Sequence, residues 1–166
     1  VLKMLRKMKR HAASCIDGWS RDLILQACYH DSAITSLIAQ LLVRVTRGMF
    51  SNEIMHLLRA ARLVILPKPD GGVRPIAIGN FWMKLAGSTA MTLSSIKSES
   101  FQHAIGMPDG AKKIVHVTRE HARLGHAIVR FDMKNGFGTM PRGFIAQQLT
   151  KMRDIDCLST YFRTMY

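Results

Sequence analysis

LVILPKPDGGVRPIAIGNFWMKLAGS, residues 63–88, contains the change of hydrophobic period on which the fold class turns. Leu63-Val64-Ile65-Leu66 is a short run of branched apolar residues, of strand length rather than helix length. Pro69-Asp70-Gly71-Gly72 follows, and then Val73-Arg74-Pro75-Ile76-Ala77-Ile78. Two strands around a glycine-containing turn are predicted. Lys68 and Arg74 flank that turn, so two cations sit at its base while the glycines let the tip approach a ligand closely. Arginine offers a planar fork suited to phosphate, and lysine a mobile point charge. The spacing is compatible both with a phosphate clamp and with an ordinary exposed hairpin carrying solvated charges.

Helical periods surround this segment. Residues 1–13 place Val1, Met4, Leu5 and Met8 at helical spacing, with Lys3, Arg6, Lys7, Lys9 and Arg10 elsewhere, which predicts a basic amphipathic helix. Being free of acidic residues, it reads either as a targeting helix or as a helix that faces nucleic acid. Asp17-Gly18-Trp19-Ser20 is a turn with Ser20 placed to cap the next helix. Ile34, Leu37, Ile38, Leu41, Leu42 and Val45 form one face of a helix over 33–47, closed by Gly48, and a further helix is expected over 52–61. Downstream of the hairpin, 80–97 reads as helix despite Gly87, and 98–109 as a polar loop. Asp109 is placed to cap a helix over 110–124 that ends at Gly125. Ala127-Ile128-Val129-Arg130-Phe131-Asp132 reads as a strand ending on an acid, and Pro141 opens a last helix over 141–152. The class is α+β, helix-rich with few strands.

Composition bounds the function. The chain has 166 residues, about one ordinary domain. Twenty-four Lys and Arg against 11 Asp and Glu leave a formal charge of +13. That balance favours a polyanionic partner, nucleic acid or an acidic lipid surface; a solvated basic surface is the plain alternative. No stretch approaches the roughly 18 apolar residues of a membrane span, so integral membrane association is not expected. Cys15, Cys28 and Cys157 are an odd, scattered set that makes no disulfide framework and points to a reducing intracellular compartment, the nucleus or a mitochondrion among them. There is no Gly-x-Ser-x-Gly and no Walker A run. His116, His121 and His126 recur every five residues, which spreads them around a helix instead of aligning them, and argues against zinc. Asp132 stands at a strand end before a glycine-containing loop, a common place to hold a divalent cation. One aspartate does not make a metal site, and the nearest downstream acids are Asp154 and Asp156.

Taken in order, LVILPKPDGGVRPIAIGNFWMKLAGS (63–88), FQHAIGMPDGAKKIVH (101–116) and AIVRFDMKNGFGTMPR (127–142) resemble the fingers and early palm of a reverse transcriptase of the non-LTR retrotransposon type. DGWSRDLI (17–24) is similar to the turn and helix that often precede the fingers in that group. Beyond the basic helix over 1–13, the resemblance implies a fingers-like region over 14–125 and a partial palm-like region over 126–166. It implies that Lys68 and Arg74 grip an incoming triphosphate, and that Asp132 is the first metal-binding aspartate of the palm, a ligand of Mg²⁺ once the rest of the site is supplied. Phe137 stands where the family keeps an aromatic that excludes the ribose 2′-hydroxyl. Gly106, Pro108, Gly110 and Ala111 match a segment lining the template path, next to the cations Lys112 and Lys113 of the basic stretch 112–134.

The departures from the family pattern shape the functional expectation. Asn135-Gly136-Phe137-Gly138 replaces a small-Phe-Asn element, and the chain contains no Tyr-x-Asp-Asp, which supplies the family's second and third carboxylates. The chain opens on Val1 and stops at Tyr166 within a segment that reads as structured, so missing neighbours are expected. As given, it is expected to bind RNA or an RNA/DNA hybrid as a basic structural component of a larger ribonucleoprotein, with protein partners and without polymerase activity. The alternative is the fingers and partial palm of an active RNA-directed DNA polymerase whose remainder lies outside the chain; a decayed reading frame is a third possibility.

Overall fold

The computed structural model describes residues 1–94, 96, 101–103, 107–133, 136–152 and 154–166, and the backbone but not the side chain of Phe137. Helices α1 (Leu2–Lys7), α2 (Arg21–His30), α3 (Ser32–Thr46) and α4 (Asn52–Arg59) lead into strands β1 (Ala61–Pro67) and β2 (Val73–Gly79). Helices α5 (Phe81–Leu93), α6 (Gly110–Arg123), α7 (Gly136–Thr139), α8 (Arg142–Lys151) and α9 (Asp156–Met165) follow. The fold is mixed α+β. The chain divides into two compact units, Val1–Ser95 with Ile145–Tyr166, and Ile96–Phe144.

The first unit is organised around α5, whose Phe81, Met83, Leu85 and Ala86 share a core with Met4, Leu5, Ile24, Cys28, Ile38, Leu42 and Val45. Leu5, Val45 and Leu85 are fully buried, and each such side chain contributes about 1.5–3 kcal/mol. Local chemistry starts the helices. Ser20 Oγ accepts from Leu23 N (3.3 Å), Asp31 Oδ1 from Ala33 N (2.7 Å) and Asn80 Oδ1 from Trp82 N (2.9 Å), each satisfying a donor that the first turn leaves open. Buried Asn80 also donates to Asp17 Oδ2 at 2.7 Å, which ties the turn before α2 to the start of α5.

Helix α9 closes the unit. Tyr161 Oη donates to the Met83 carbonyl at 2.7 Å, and Thr164 Oγ1 donates to the Thr46 carbonyl at 3.0 Å. The Arg59 guanidinium donates to the Thr164 carbonyl, from Nε at 2.9 Å and from Nη2. Burial, with a smaller contribution from Tyr166, pushes the Tyr161 phenol up to about 12. Gly87 explains its own presence in α5, because the Tyr161 ring crosses the helix at that position.

Three helix boundaries and one strand differ from the sequence reading. The basic helix stops at Lys7 instead of running to residue 13, because Met8 turns extended and Arg21 Nε takes the Leu5 carbonyl at 3.0 Å. The helix expected to 97 ends at Leu93, where Ser94 is extended and its hydroxyl bonds back to the Ala90 carbonyl at 2.8 Å. The helix expected to 61 ends at Arg59, since Ala61 already pairs with Gly79 in the hairpin. The strand expected over 127–132 does not form. Among the described residues no second strand runs beside it, and a strand without a ladder partner leaves its backbone to water. Ile128, Val129 and Phe131 of that segment are exposed.

The second unit holds α6 and α7. Gly110 is the one buried residue among its described residues. Asp109 precedes α6 as foreseen but with a left-handed φ of 54°, and its carboxylate engages Lys112 Nζ at 2.9 Å instead of capping the helix. Among the described residues no helix is long and apolar enough to cross a membrane.

Candidate nucleic-acid interface

The hairpin is built by its turn. Pro69 fixes φ for the first corner, Gly71 N donates to the Lys68 carbonyl (3.1 Å), and Gly71 takes the left-handed conformation at φ +80°. Lys68 N then donates to the Gly72 carbonyl at 2.8 Å, and Asp70 Oδ1 accepts from Gly72 N at 3.1 Å. This is a three-residue loop with glycine at its left-handed position, and it sets the register. Leu66 faces Arg74, Val64 faces Ile76 and Arg62 faces Ile78 across the two strands.

Register sorts the side chains into two faces, because alternate residues point to opposite sides and cross-strand partners share one. Arg62, Val64, Leu66, Lys68, Arg74, Ile76 and Ile78 lie on one face; Leu63, Ile65, Pro67, Val73, Pro75 and Ala77 lie on the other. One face is therefore cationic and aliphatic, while the other carries no charge. Lys68 and Arg74 are exposed, as is Arg62, and none of the three makes an ion pair among the described residues. The Lys68 stem passes over Gly72, with its Cδ 3.5 Å from where a Cβ would stand. Arg62 was not singled out by sequence; the period-two alternation from Arg62 through Lys68 was the signal that could have found it.

A second cationic surface of the same unit surrounds α1. Lys3, Arg6, Lys7, Lys9 and Arg10 are exposed around buried Met4 and Leu5, so the amphipathic reading of that segment holds over the helix itself. Arg6 is held by Tyr29, donating to its hydroxyl at 3.0 and 3.3 Å.

The other candidate residues belong to the second unit. Gly110 is the buried first residue of α6, Lys112 is exposed but paired with Asp109, and Lys113 is exposed. Asp132 is exposed in a segment without secondary structure, and Phe137 opens into the short α7. Gly106 and the Phe137 side chain lie outside what the structure describes. Among the described residues no group of three or more His, Cys, Asp and Glu gathers as a metal cage. By themselves the described residues do not make up a two-metal centre.

With this geometry in place, the chain is similar to a retrotransposon-encoded protein. It is 28% identical over 146 residues to the retrotransposable element SLACS 132 kDa protein of Trypanosoma brucei gambiense. The matched stretch is 86% of this chain and 12% of that protein, so the chain spans about an eighth of the length of the curated relative it matches. The chain matches no known protein-family profile. No solved structure matches it either.

Proposed function

We propose that the chain is the fingers and early palm of a reverse-transcriptase fold of the non-LTR type, acting as a basic RNA-binding component of a ribonucleoprotein and not polymerising on its own. The hairpin carries this reading: three exposed cations with no ion pair among the described residues, Arg62 and Arg74 on one strand face and Lys68 at the end of β1, stand beside a turn with a glycine at φ +80°. Such an arm presents charge to a phosphate backbone while its aliphatic residues, Val64, Leu66 and Ile76, offer surface to bases or sugars. The net charge of +13 and the likeness to a retrotransposon-encoded protein support it.

A second reading, part of an active RNA-directed DNA polymerase completed by further chain, draws on the 132 kDa size of the similar protein. Filter binding of a labelled single-stranded RNA over a salt series tests both. Each phosphate contact adds a slope of roughly −0.7 to log K against log salt, so affinity falls steeply, and a flat response overturns the RNA-binding reading. Arg74→Ala weakens binding by about 1–3 kcal/mol, the size of a lost charge-assisted contact. Asp132→Asn leaves affinity unchanged or slightly raised. Mg²⁺-dependent affinity that disappears in Asp132→Asn, or primer extension by the 166-residue chain, would favour the second reading.

A further inference from the structure

Helix α6 ends in a complete Schellman motif. Gly125 takes φ +80°, Gly125 N donates to the Ala122 carbonyl at 3.1 Å, and His126 N reaches back to the His121 carbonyl at 3.0 Å. This backbone path brings the side chain two residues past the cap onto the one in the last helical turn, a contact that is usually apolar. Here both residues are histidine. Their Nδ1 atoms stand 2.9 Å apart, the ring centroids are separated by 5.1 Å, and both side chains are exposed. An interval of five spreads residues around a continuous helix; because this helix stops at Arg123, the same interval closes a pair.

We infer that His121 and His126 form a chelating site for a borderline divalent transition-metal ion of tetragonal or octahedral preference, such as Ni²⁺ or Cu²⁺. Imidazole nitrogens lie about 2.0–2.1 Å from such a metal. Two of them 2.9 Å apart subtend an angle of about 90° at the ion, the cis angle of tetragonal or octahedral coordination. A tetrahedral ion would want them about 3.3 Å apart, so zinc fits less well. In the hydrogen-bonded pair one Nδ1 donates its proton to the other. On metal binding the donating ring carries that proton on Nε2 instead, leaving both Nδ1 lone pairs to the ion with no net change in protonation of the neutral pair. Arg123, which lies between the two histidines in sequence, is engaged by Glu120 at 2.9 Å. Among the described residues no third protein ligand joins them, so solvent completes the shell.

Titration calorimetry of the tag-free 166-residue protein with Ni²⁺ alone tests the site. One ion is expected to bind, and His121→Ala or His126→Ala is expected to lose affinity by about tenfold or more, since the second imidazole acts as an intramolecular ligand. His116→Ala, on the same helix, retains wild-type affinity. Gly125→Ala keeps both imidazoles but strains the turn, so it too binds more weakly while far-ultraviolet circular dichroism shows the helices intact. Wild-type affinity in either His121→Ala or His126→Ala would overturn the site, and an equal loss in His116→Ala would overturn the pairing. Unchanged binding in Gly125→Ala would overturn the role given to the motif.

Discussion

A Cβ on Gly87 would stand 2.9 Å from the Tyr161 hydroxyl and 3.0 Å from two of its ring carbons. Alanine is the better helix former by about 1 kcal/mol, but an overpacked contact costs about 1–3 kcal/mol, and here packing prevails. Gly87→Ala is therefore expected to destabilise the protein, read as a lower midpoint in urea; a raised midpoint would mean that α9 does not sit on α5 as described. The sequence displays Gly87 as an anomaly inside an apolar helix without saying why, because its partner lies far along the chain. Lys68 and Arg74 were legible for the opposite reason. Their juxtaposition is set by the turn chemistry of the five residues from Lys68 to Gly72. Asp132 was singled out from an expected strand end and from resemblance, and the structure gives it no strand.

At the scale of elements, the start of α2 and the hairpin were foreseen because local side chains and turn residues write them. The Ser20 cap of α2 and the hairpin turn use side chains within three residues of the groups they satisfy, as does the Asn80 cap of α5, which sequence reading did not single out. The strand at 127–132 and helix α9 were misjudged or missed because their fate depends on partners elsewhere in the chain. Helix α9 has a titration signature of its own. Tyr161 holds its proton up to about 12 in the folded state against 10.0 when unfolded. The folded state thus binds this proton more tightly, so the contribution is complete below pH 10 and is lost as pH rises from 10 towards 12. Thermal melts should show a steeper alkaline decline for the wild type than for Tyr161→Phe over that window, and parallel declines would exclude Tyr161 as a source.

For the whole molecule, the two units differ in how their apolar side chains are covered. Leu5, Leu85 and Ala86 have no exposed surface, whereas Phe101, Leu124 and Phe131 of the second unit are 77%, 70% and 90% exposed. Amide hydrogen exchange should separate them. Amides of α3 and α5 around Val45 and Leu85 should exchange only through global unfolding, and those of 127–133 at close to the open-chain rate. Similar protection in the two sets would contradict this division. The pairing of Val1–Ser95 with Ile145–Tyr166 also has a consequence for biosynthesis. A nascent chain can form its N-terminal helices and hairpin early, but the face of α5 at Gly87 stays uncovered and the Thr46 carbonyl lacks the Thr164 hydroxyl until α9 has emerged from the ribosome. Completion of this unit thus waits for α9, and a product stalled or released before Asp156 would expose the face of α5 to chaperones and proteases.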